Sequence, residues 1–144
     1  MRKIKFRGYS KRELITNTQW ITDGYGATTI KYADGTSSAY LITPYGDYWV
    51  DENSVGQYTG LKDKNGKEIY EGDIVELKIK YWNNCNKEYV EYKREIIGEI
   101  TDFRGLGWSV RYKEKDNNYD YPLMWLLDQD YTIEVKGNIF ENME

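Results

Sequence analysis

Apolar and charged residues alternate strictly in the middle of the chain. Residues 75–81 carry an apolar side chain at every second position and a charged one between: Val75, Leu77, Ile79 and Tyr81 against Glu76, Lys78 and Lys80. A repeat of two residues is the pattern of a β-strand with one face in a core and the other in water. Residues 74–82 are therefore predicted to form a half-buried strand.

Two further stretches continue this pattern, residues 89–102 and residues 108–113. In the first, Ile97 interrupts the alternation, and Gly98 beside it indicates a bend or bulge. The three strands are predicted to form an antiparallel meander. Such a meander predicts a small SH3-like or OB-like barrel, or a sandwich, in the C-terminal half.

The N-terminal part shows turn signals at short intervals, such as Asp34-Gly35 between the expected strands at residues 28–32 and 39–43. Turns spaced in this way are typical of all-β folds. We therefore predict an all-β, mainly antiparallel protein. Residues 1–54 would be a β-rich segment and residues 55–144 would hold the candidate barrel, as two parts or as one compact domain.

The second half contains two stretches without alternation. Lys113 to Tyr119 is polar and is predicted to be a loop. Leu123 to Leu127 is the one apolar run that lacks the two-residue repeat, and it predicts a short helical turn or a buried connection.

Residues 55–77 hold the strongest turn signals, and we call this stretch the central motif. Asn65-Gly66 predicts a two-residue hairpin turn of the primed type, because this pair tolerates positive φ at both positions. Gly56 and Gly60 bracket three polar or amphipathic residues. Of these, Tyr58 either fills the core beneath a tight turn or, with Gln57 and Thr59, forms a polar binding surface.

Glu71-Gly72-Asp73 predicts a second turn in the central motif. Two carboxylates this close suggest acid–base chemistry, which requires at least one of them to be buried. At the start of an exposed turn both are expected to be solvated, so a turn is the favoured interpretation.

The central motif resembles the signature of the YopX family of small phage and prophage proteins. The resemblance rests on residues 55–61, 63–67 and 69–75, and residues 4–8 and 133–142 resemble the opening and the closing strand of the family. Residues 98–100 are a weaker match. It departs at residues 9–44 and 82–95. The resemblance implies a phage or prophage origin and a β-rich fold, but no reaction. The candidate family-motif surface consists of Gln57, Tyr58, Thr59, Asn65, Gly66, Glu71, Gly72 and Asp73.

The composition excludes several function classes. The chain has no histidine, which excludes a Ser-His-Asp or Cys-His nucleophile and a typical zinc site. Its single cysteine, Cys85, excludes an internal disulfide. Neither an apolar run near the roughly 18 residues of a membrane helix nor a secretory signal is evident. We therefore expect a protein of the bacterial host cytoplasm without a membrane association or a cofactor.

Charge is unevenly distributed along a chain with a net charge of −4. Residues 1–72 contain 10 Lys and Arg against 9 Asp and Glu, and residues 73–144 contain 10 against 15. The first 12 residues hold a basic patch without any acid: Arg2, Lys3, Lys5, Arg7, Lys11 and Arg12. The patch is interpreted as the outer face of an edge strand, protected by charge. The alternative is a contact for nucleic-acid phosphate.

Three functions follow from these patterns. The favoured one is a non-enzymatic phage accessory protein that acts through protein–protein contacts and assembles into a homo-oligomer, with an unknown phage or host protein as a further partner. The second is a nucleic-acid-binding module that uses the basic strand and aromatic stacking. The third is a metal-dependent enzyme that relies on carboxylates such as Asp73, Glu99 and Asp102, because hard cations need only oxygen ligands.

Overall fold

A computed structural model describes residues 4–14, 18–83, 88–127 and 130–141, without the side chains of residues 81–83 and 88–93. Strands make up most of the described residues, which include no α-helix, so the all-β, antiparallel prediction is confirmed. Within this described part, no sheet closes into a barrel, and the open sheets are consistent with a sandwich. No helix there is long and apolar enough to cross a membrane.

The chain divides into two compact units, residues 1–60 and residues 61–144. The sequence predicted a boundary between residues 54 and 55. The observed division falls within a strand, at the point where the central motif leaves the first unit.

The first unit contains five complete strands and most of a sixth. These are β1 (Phe6–Tyr9), β2 (Trp20–Gly24), β3 (Gly26–Lys31), β4 (Ser37–Thr43), β5 (Gly46–Val50) and β6 (Gly56–Lys62), with a 3₁₀ turn at Glu52–Ser54. One sheet places β1 between β2 and β6, and a second sheet has the order β3-β4-β5. The strands predicted at residues 28–32 and 39–43 are confirmed as the β3–β4 hairpin.

Ala39, Leu41 and Val50 form the small core of the first unit. They are buried because they lie on one face of β4 and β5, where the two-residue repeat of each strand places them together. Gly24 packs against this core, since a Cβ there would lie 2.6 Å from Leu41 Cδ1.

The second unit contains the predicted meander and two additional pairings. Its strands are β7 (Glu68–Tyr70), β8 (Asp73–Asn83), β9 (Glu88–Asp102), β10 (Trp108–Glu114), β11 (Asn117–Pro122) and β12 (Asp130–Asn138), with a 3₁₀ turn at Leu123–Leu126. The five-stranded sheet has the order β11-β10-β9-β8-β12. The alternation that predicted β8 is confirmed, since Val75, Leu77 and Ile79 are fully buried. The helical turn predicted within residues 123–127 is also confirmed.

The predicted loop at residues 113–119 is wrong, because a tight hairpin joins β10 to β11 there. Glu114 pairs with Asn117, which leaves a loop of only Lys115 and Asp116. Both loop residues have positive φ, 50° and 68°, as a primed turn requires. Lys-Asp is not the favoured pair for this turn, so strand pairing on both sides rather than local preference determines it.

Gly98 marks a close approach of two backbones. A Cβ at Gly98 would lie 2.2 Å from the carbonyl oxygen of Arg111. The β8–β9 register shows no shift at this position, so the predicted bulge is replaced by a site where only glycine fits. Ile97 beside it is 63% exposed, as the interrupted alternation suggested.

Candidate interaction surface

The hairpin at the centre of the central motif differs from the predicted two-residue turn. Gly66 N–H donates to Asp63 O at 3.0 Å, and Asp63 N–H donates to Lys67 O at 2.7 Å. Gly66 has a φ of 83°, whereas Asn65 is not among the described residues with positive φ. The loop is therefore a three-residue one, in which a tight turn is followed by a left-handed glycine. The primed two-residue turn is wrong because the side chain of Asp63 imposes a different hydrogen-bond pattern.

The carboxylate of Asp63 binds three backbone N–H groups. Its Oδ1 accepts from Asn65 N at 2.9 Å and from Lys67 N at 2.9 Å, and its Oδ2 accepts from Val135 N at 3.0 Å. Asp63 is 7% exposed. Burial raises the pKa of its carboxyl, but the N–H donors outweigh burial and hold the pKa below its usual value.

The same hairpin is tied to β12 at two further points. Lys64 N–H donates to Ile133 O at 2.9 Å, and Lys64 Nζ lies 2.9 Å from Glu134 Oε2. Asp63 was missed in the sequence, although an Asp two residues before an Asn-Gly turn is a pattern in which the side chain accepts from the turn backbone. Asn65 and Gly66 are exposed, and the hairpin that contains them connects the central motif to β12.

The residues of the motif before the hairpin lie in β6. Tyr58 is 8% exposed and Thr59 is 4% exposed, while Gln57 is half-buried and pairs with Phe6. Tyr58 N–H donates to Lys5 O at 2.7 Å. Tyr58 and Thr59 are therefore buried and do not form an exposed polar surface.

The second turn of the motif is held from both sides. Gly72 N–H donates to Ile100 O, and Gly72 O accepts from Ile139 N, both at 2.9 Å. Asp73 is 1% exposed and accepts from Tyr70 N at 2.8 Å, so the expectation of a solvated carboxylate is wrong for this residue. The buried carboxylate is hydrogen-bonded to the backbone N–H of Tyr70, the last residue of β7, as buried polar groups usually are.

The pKa of the Glu99 carboxyl is raised above its usual value. Burial raises the pKa, the cation of Arg111 opposes the rise, and the negative charge of Glu71 adds to it. Across the described residues, no three metal-ligating side chains are grouped, so Asp73, Glu99 and Asp102 are not brought together there as a cation site would require.

The first strand is not an edge strand, which corrects the interpretation of the basic N-terminus. β1 pairs with β2 through Tyr9 and Trp20 and with β6 through Phe6 and Gln57. Backbone groups on both sides of β1 are therefore used within the unit. Charge protection of a sheet edge is not what these cations provide.

The cations of the basic patch are dispersed over different aromatic rings. Arg2 and Lys3 lie outside the described residues. Arg7 is 7% exposed, with its guanidinium 4.5 Å from the ring centre of Trp20. The ammonium groups of the two described lysines lie over other rings: Lys5 at 5.8 Å over Tyr58 and Lys11 at 5.3 Å over Trp49. Lys11 and Arg12 are exposed and remain accessible to a partner.

The three-stranded sheet of the first unit presents an apolar face to solvent. Its registers place Tyr40 opposite Trp49 and Thr28, and Ile42 opposite Gly26 and Asp47. These residues lie on the face opposite Leu41 and Val50, which form the core. We call the large members of this surface the outer face: Ile30, Tyr40, Ile42 and Trp49.

The outer face exposes large apolar side chains next to the polar residues Thr28, Ser38 and Asp47. Ile30 is 45% exposed and Trp49 is 37% exposed, and Tyr40 and Ile42 are half-buried. Tyr40 and Trp49 form a directly opposed aromatic pair across β4 and β5. Aromatic and large aliphatic groups grouped on a solvent-facing sheet are typical of a contact surface.

A cleft of about 360 Å³ opens beside the outer face. Residues 10–14 form one wall and the β4–β5 hairpin forms the other, and the lining includes Arg12, Leu14, Tyr40, Asp47 and Trp49. The wall segment is fixed by hydrogen bonds, since Lys11 N–H donates to Trp49 O at 3.0 Å and Leu14 N–H donates to Gln19 Oε1 at 3.0 Å. The cleft is therefore lined by three aromatic residues, Tyr40, Tyr48 and Trp49, and by charges of both signs.

Comparison with known protein families shows the family of the chain. A family model described as YopX protein matches residues 5–144. The similarity seen in the central motif is thereby confirmed and extends over nearly the whole chain. No curated protein matches the chain.

Proposed function

Because the chain belongs to the YopX family, which has no assigned activity, we propose that it is a non-enzymatic accessory protein of a phage or prophage. It acts in the cytoplasm of the bacterial host through protein–protein contacts, and it assembles with further copies of itself. The outer face is the contact surface.

The observation that carries this proposal is the composition of the outer face. Tyr and Trp are enriched at the centres of protein interfaces, and they contribute much of the binding energy when a partner covers them. Tyr40 and Trp49 are adjacent, partly exposed and surrounded by Ile30 and Ile42. The adjoining cleft supplies a rim of Arg12 and Asp47, which suits a polar interface border.

A nucleic-acid-binding module is the second candidate, and one specific observation favours it. The exposed cations Lys11 and Arg12 lie beside Trp49, an arrangement that would hold a phosphate next to a ring on which a base stacks. The burial of Arg7 and the net charge of −4 weigh against this candidate, because phosphate binding requires accessible positive charge.

Size-exclusion chromatography with light scattering tests both candidates. The freshly purified full chain is measured at low and high salt, and absorbance is followed at protein and nucleic-acid wavelengths. A discrete multimer without nucleic acid is expected. A monomer that co-elutes with nucleic acid and loses it at high salt would overturn the proposal, because salt displaces phosphate contacts.

A pair of variants tests the outer face itself. Trp49→Ala is expected to shift the multimer toward smaller species, because it removes the largest ring of the face. Tyr45→Ala is the matched control, since Tyr45 is 80% exposed at the β4–β5 turn and is outside the outer face. Equal behaviour of the two variants would show that the outer face is not the contact.

A further inference from the structure

β3 is an edge strand with little protection against pairing. It has one neighbour, β4, in the three-stranded sheet. Its sequence from Gly26 to Ile30 has no charge and no proline, and it contains the β-branched residues Thr28, Thr29 and Ile30. Residues 27–31 are all exposed. Natural edge strands are usually interrupted by charge, proline or a bulge, because an unmodified edge is a template for another strand.

The hydrogen-bond pattern identifies which backbone groups face outward. Tyr32 N–H donates to Thr36 O at 2.8 Å, and the β3–β4 register continues this pairing without a shift. Hydrogen-bonded pairs alternate along an antiparallel ladder. Residues 26, 28 and 30 therefore bond to β4, and the N–H and C=O groups of Ala27, Thr29 and Lys31 point away from the sheet.

The other edges of the described sheets are protected. The outer side of β5 is used by the Lys11 N–H, which donates to Trp49 O, and by a bridge between Ser10 and Val50. The outer side of β12 is covered by the hairpin of Asp63, whose carboxylate accepts from Val135 N.

The remaining edge strands carry residues that discourage pairing. β2 contains Asp23, β7 has only 3 residues and begins with Glu68, and β11 contains Asp120 and ends in Pro122. β3 has neither a charged residue nor a proline at five of its six positions.

Resting on the proposed self-assembly, we propose that β3 pairs antiparallel with β3 of a second copy, with Thr29 at the twofold axis. This register pairs every outward group: Thr29 with Thr29 of the second copy, and Ala27 with Lys31 in both directions. This contact is separate from the one at the outer face: it joins the two three-stranded sheets edge to edge into one sheet of six strands and does not cover the outer face. A twofold axis perpendicular to the sheet keeps the outer faces of both copies on the same side, so Ile30 of one copy lies opposite Thr28 of the other.

The charge of the edge favours a second copy in this orientation. Lys31 is the one charged residue of β3. In the antiparallel register the two Lys31 residues are separated by four residue steps, about 13 Å, which exceeds the Debye length of about 8 Å at physiological salt. A parallel pairing would place them side by side. Each Lys31 instead lies opposite the small Ala27.

Cysteine cross-linking tests the register directly. In a Cys85→Ser background, which removes the single native thiol, Thr29→Cys places two thiols across the axis with Cα atoms about 5.5 Å apart, within disulfide range. Thr28→Cys is the matched control, because its two copies are diagonal neighbours about 7–8 Å apart, beyond disulfide range. Mild oxidation is expected to give a covalent dimer for Thr29→Cys and at least tenfold less for Thr28→Cys.

Light scattering of Thr29→Lys separates this inference from the proposed function. The side chain is exposed in one copy but would place two ammonium groups together at the axis, so the mass is expected to fall while the melting temperature of the monomer is kept. The β3 pairing would be overturned, and self-assembly kept, by three results together. The wild type is a multimer, the two cysteine variants cross-link equally, and Thr29→Lys leaves the mass unchanged. A wild-type monomer at all concentrations would overturn the pairing and self-assembly together.

Discussion

Asp63 allows the role of the central motif to be measured. Asp63→Ala removes all three acceptor bonds of the carboxylate at once. Asn65 and Lys67 are exposed, so water replaces the acceptor for their N–H groups and the loss there is about 1 kcal/mol in total. Val135 is half-buried, and its N–H loses a charged acceptor at a cost of about 2 kcal/mol.

The free energy of unfolding is therefore expected to fall by about 3 kcal/mol, which lowers the melting temperature of a chain of this size by about 10 °C. Thermal unfolding followed by circular dichroism measures this change. Asp63→Asn separates the two parts of the loss, because its amide oxygen still accepts from the turn but its NH₂ group faces another donor at Val135. The melting temperature of Asp63→Asn should lie between those of the wild type and Asp63→Ala.

Asp34→Ala is the matched control for the hairpin. Asp34 accepts from Thr36 N at 2.9 Å in the β3–β4 turn, an arrangement similar to the Asp63 turn but fully exposed. The control is expected to change the melting temperature by less than about 2 °C, as exposed substitutions usually do. If Asp63→Ala lowers the melting temperature no more than Asp34→Ala does, the hydrogen bonds between the hairpin and β12 do not stabilise the second unit.

Three further predictions concern acid stability, a charge and a close contact. Folding lowers the pKa of the Asp63 carboxyl, so the charged carboxylate stabilises the folded protein fully above the unfolded pKa of 3.8. This stabilisation is lost as pH falls through the folded pKa. The urea midpoints of wild type and Asp63→Asn should therefore converge below about pH 4. Folding raises the pKa of the Glu99 carboxyl, so the charged carboxylate destabilises the folded protein above the unfolded pKa of 4.5. Glu99→Gln should therefore raise the melting temperature at pH 7 and have no such effect at pH 4. A lower melting temperature of Glu99→Gln at pH 7 would show that the attraction between Glu99 and Arg111 dominates. Gly98→Ala places a methyl group against Arg111 O and should lower the free energy of unfolding by about 3 kcal/mol in a urea titration. Gly26→Ala is the control, because the nearest atom to an added Cβ at Gly26 lies 4.0 Å away. Equal midpoints for the two glycine variants would contradict the close approach.

The amino-acid sequence by itself determined the elements that local physics controls. The alternation at residues 74–82 fixed both the existence of β8 and the face that is buried, because a two-residue repeat can satisfy a core only in an extended strand. The Asp34-Gly35 turn similarly predicted the β3–β4 hairpin. The central motif was sufficient to identify the family, since its residues are contiguous.

The partners of those elements were decided by the tertiary structure. Nothing in residues 4–9 indicates that β1 lies between two strands, because pairing with β6 depends on a segment about 50 residues away. The same limit applies to Asp63, whose third hydrogen bond goes to Val135, 72 residues later. Long-range contacts of this kind carry no local pattern.

The turns and the outer face show the same division. Lys115-Asp116 adopts a primed turn against its local preference because β10 and β11 pair up to its ends. Tyr40 and Trp49 were visible in the sequence only as two of many aromatic residues. The registers of β4 and β5 bring them together on one solvent-facing side, since a strand's neighbours, and not its own sequence, determine which of its faces is covered.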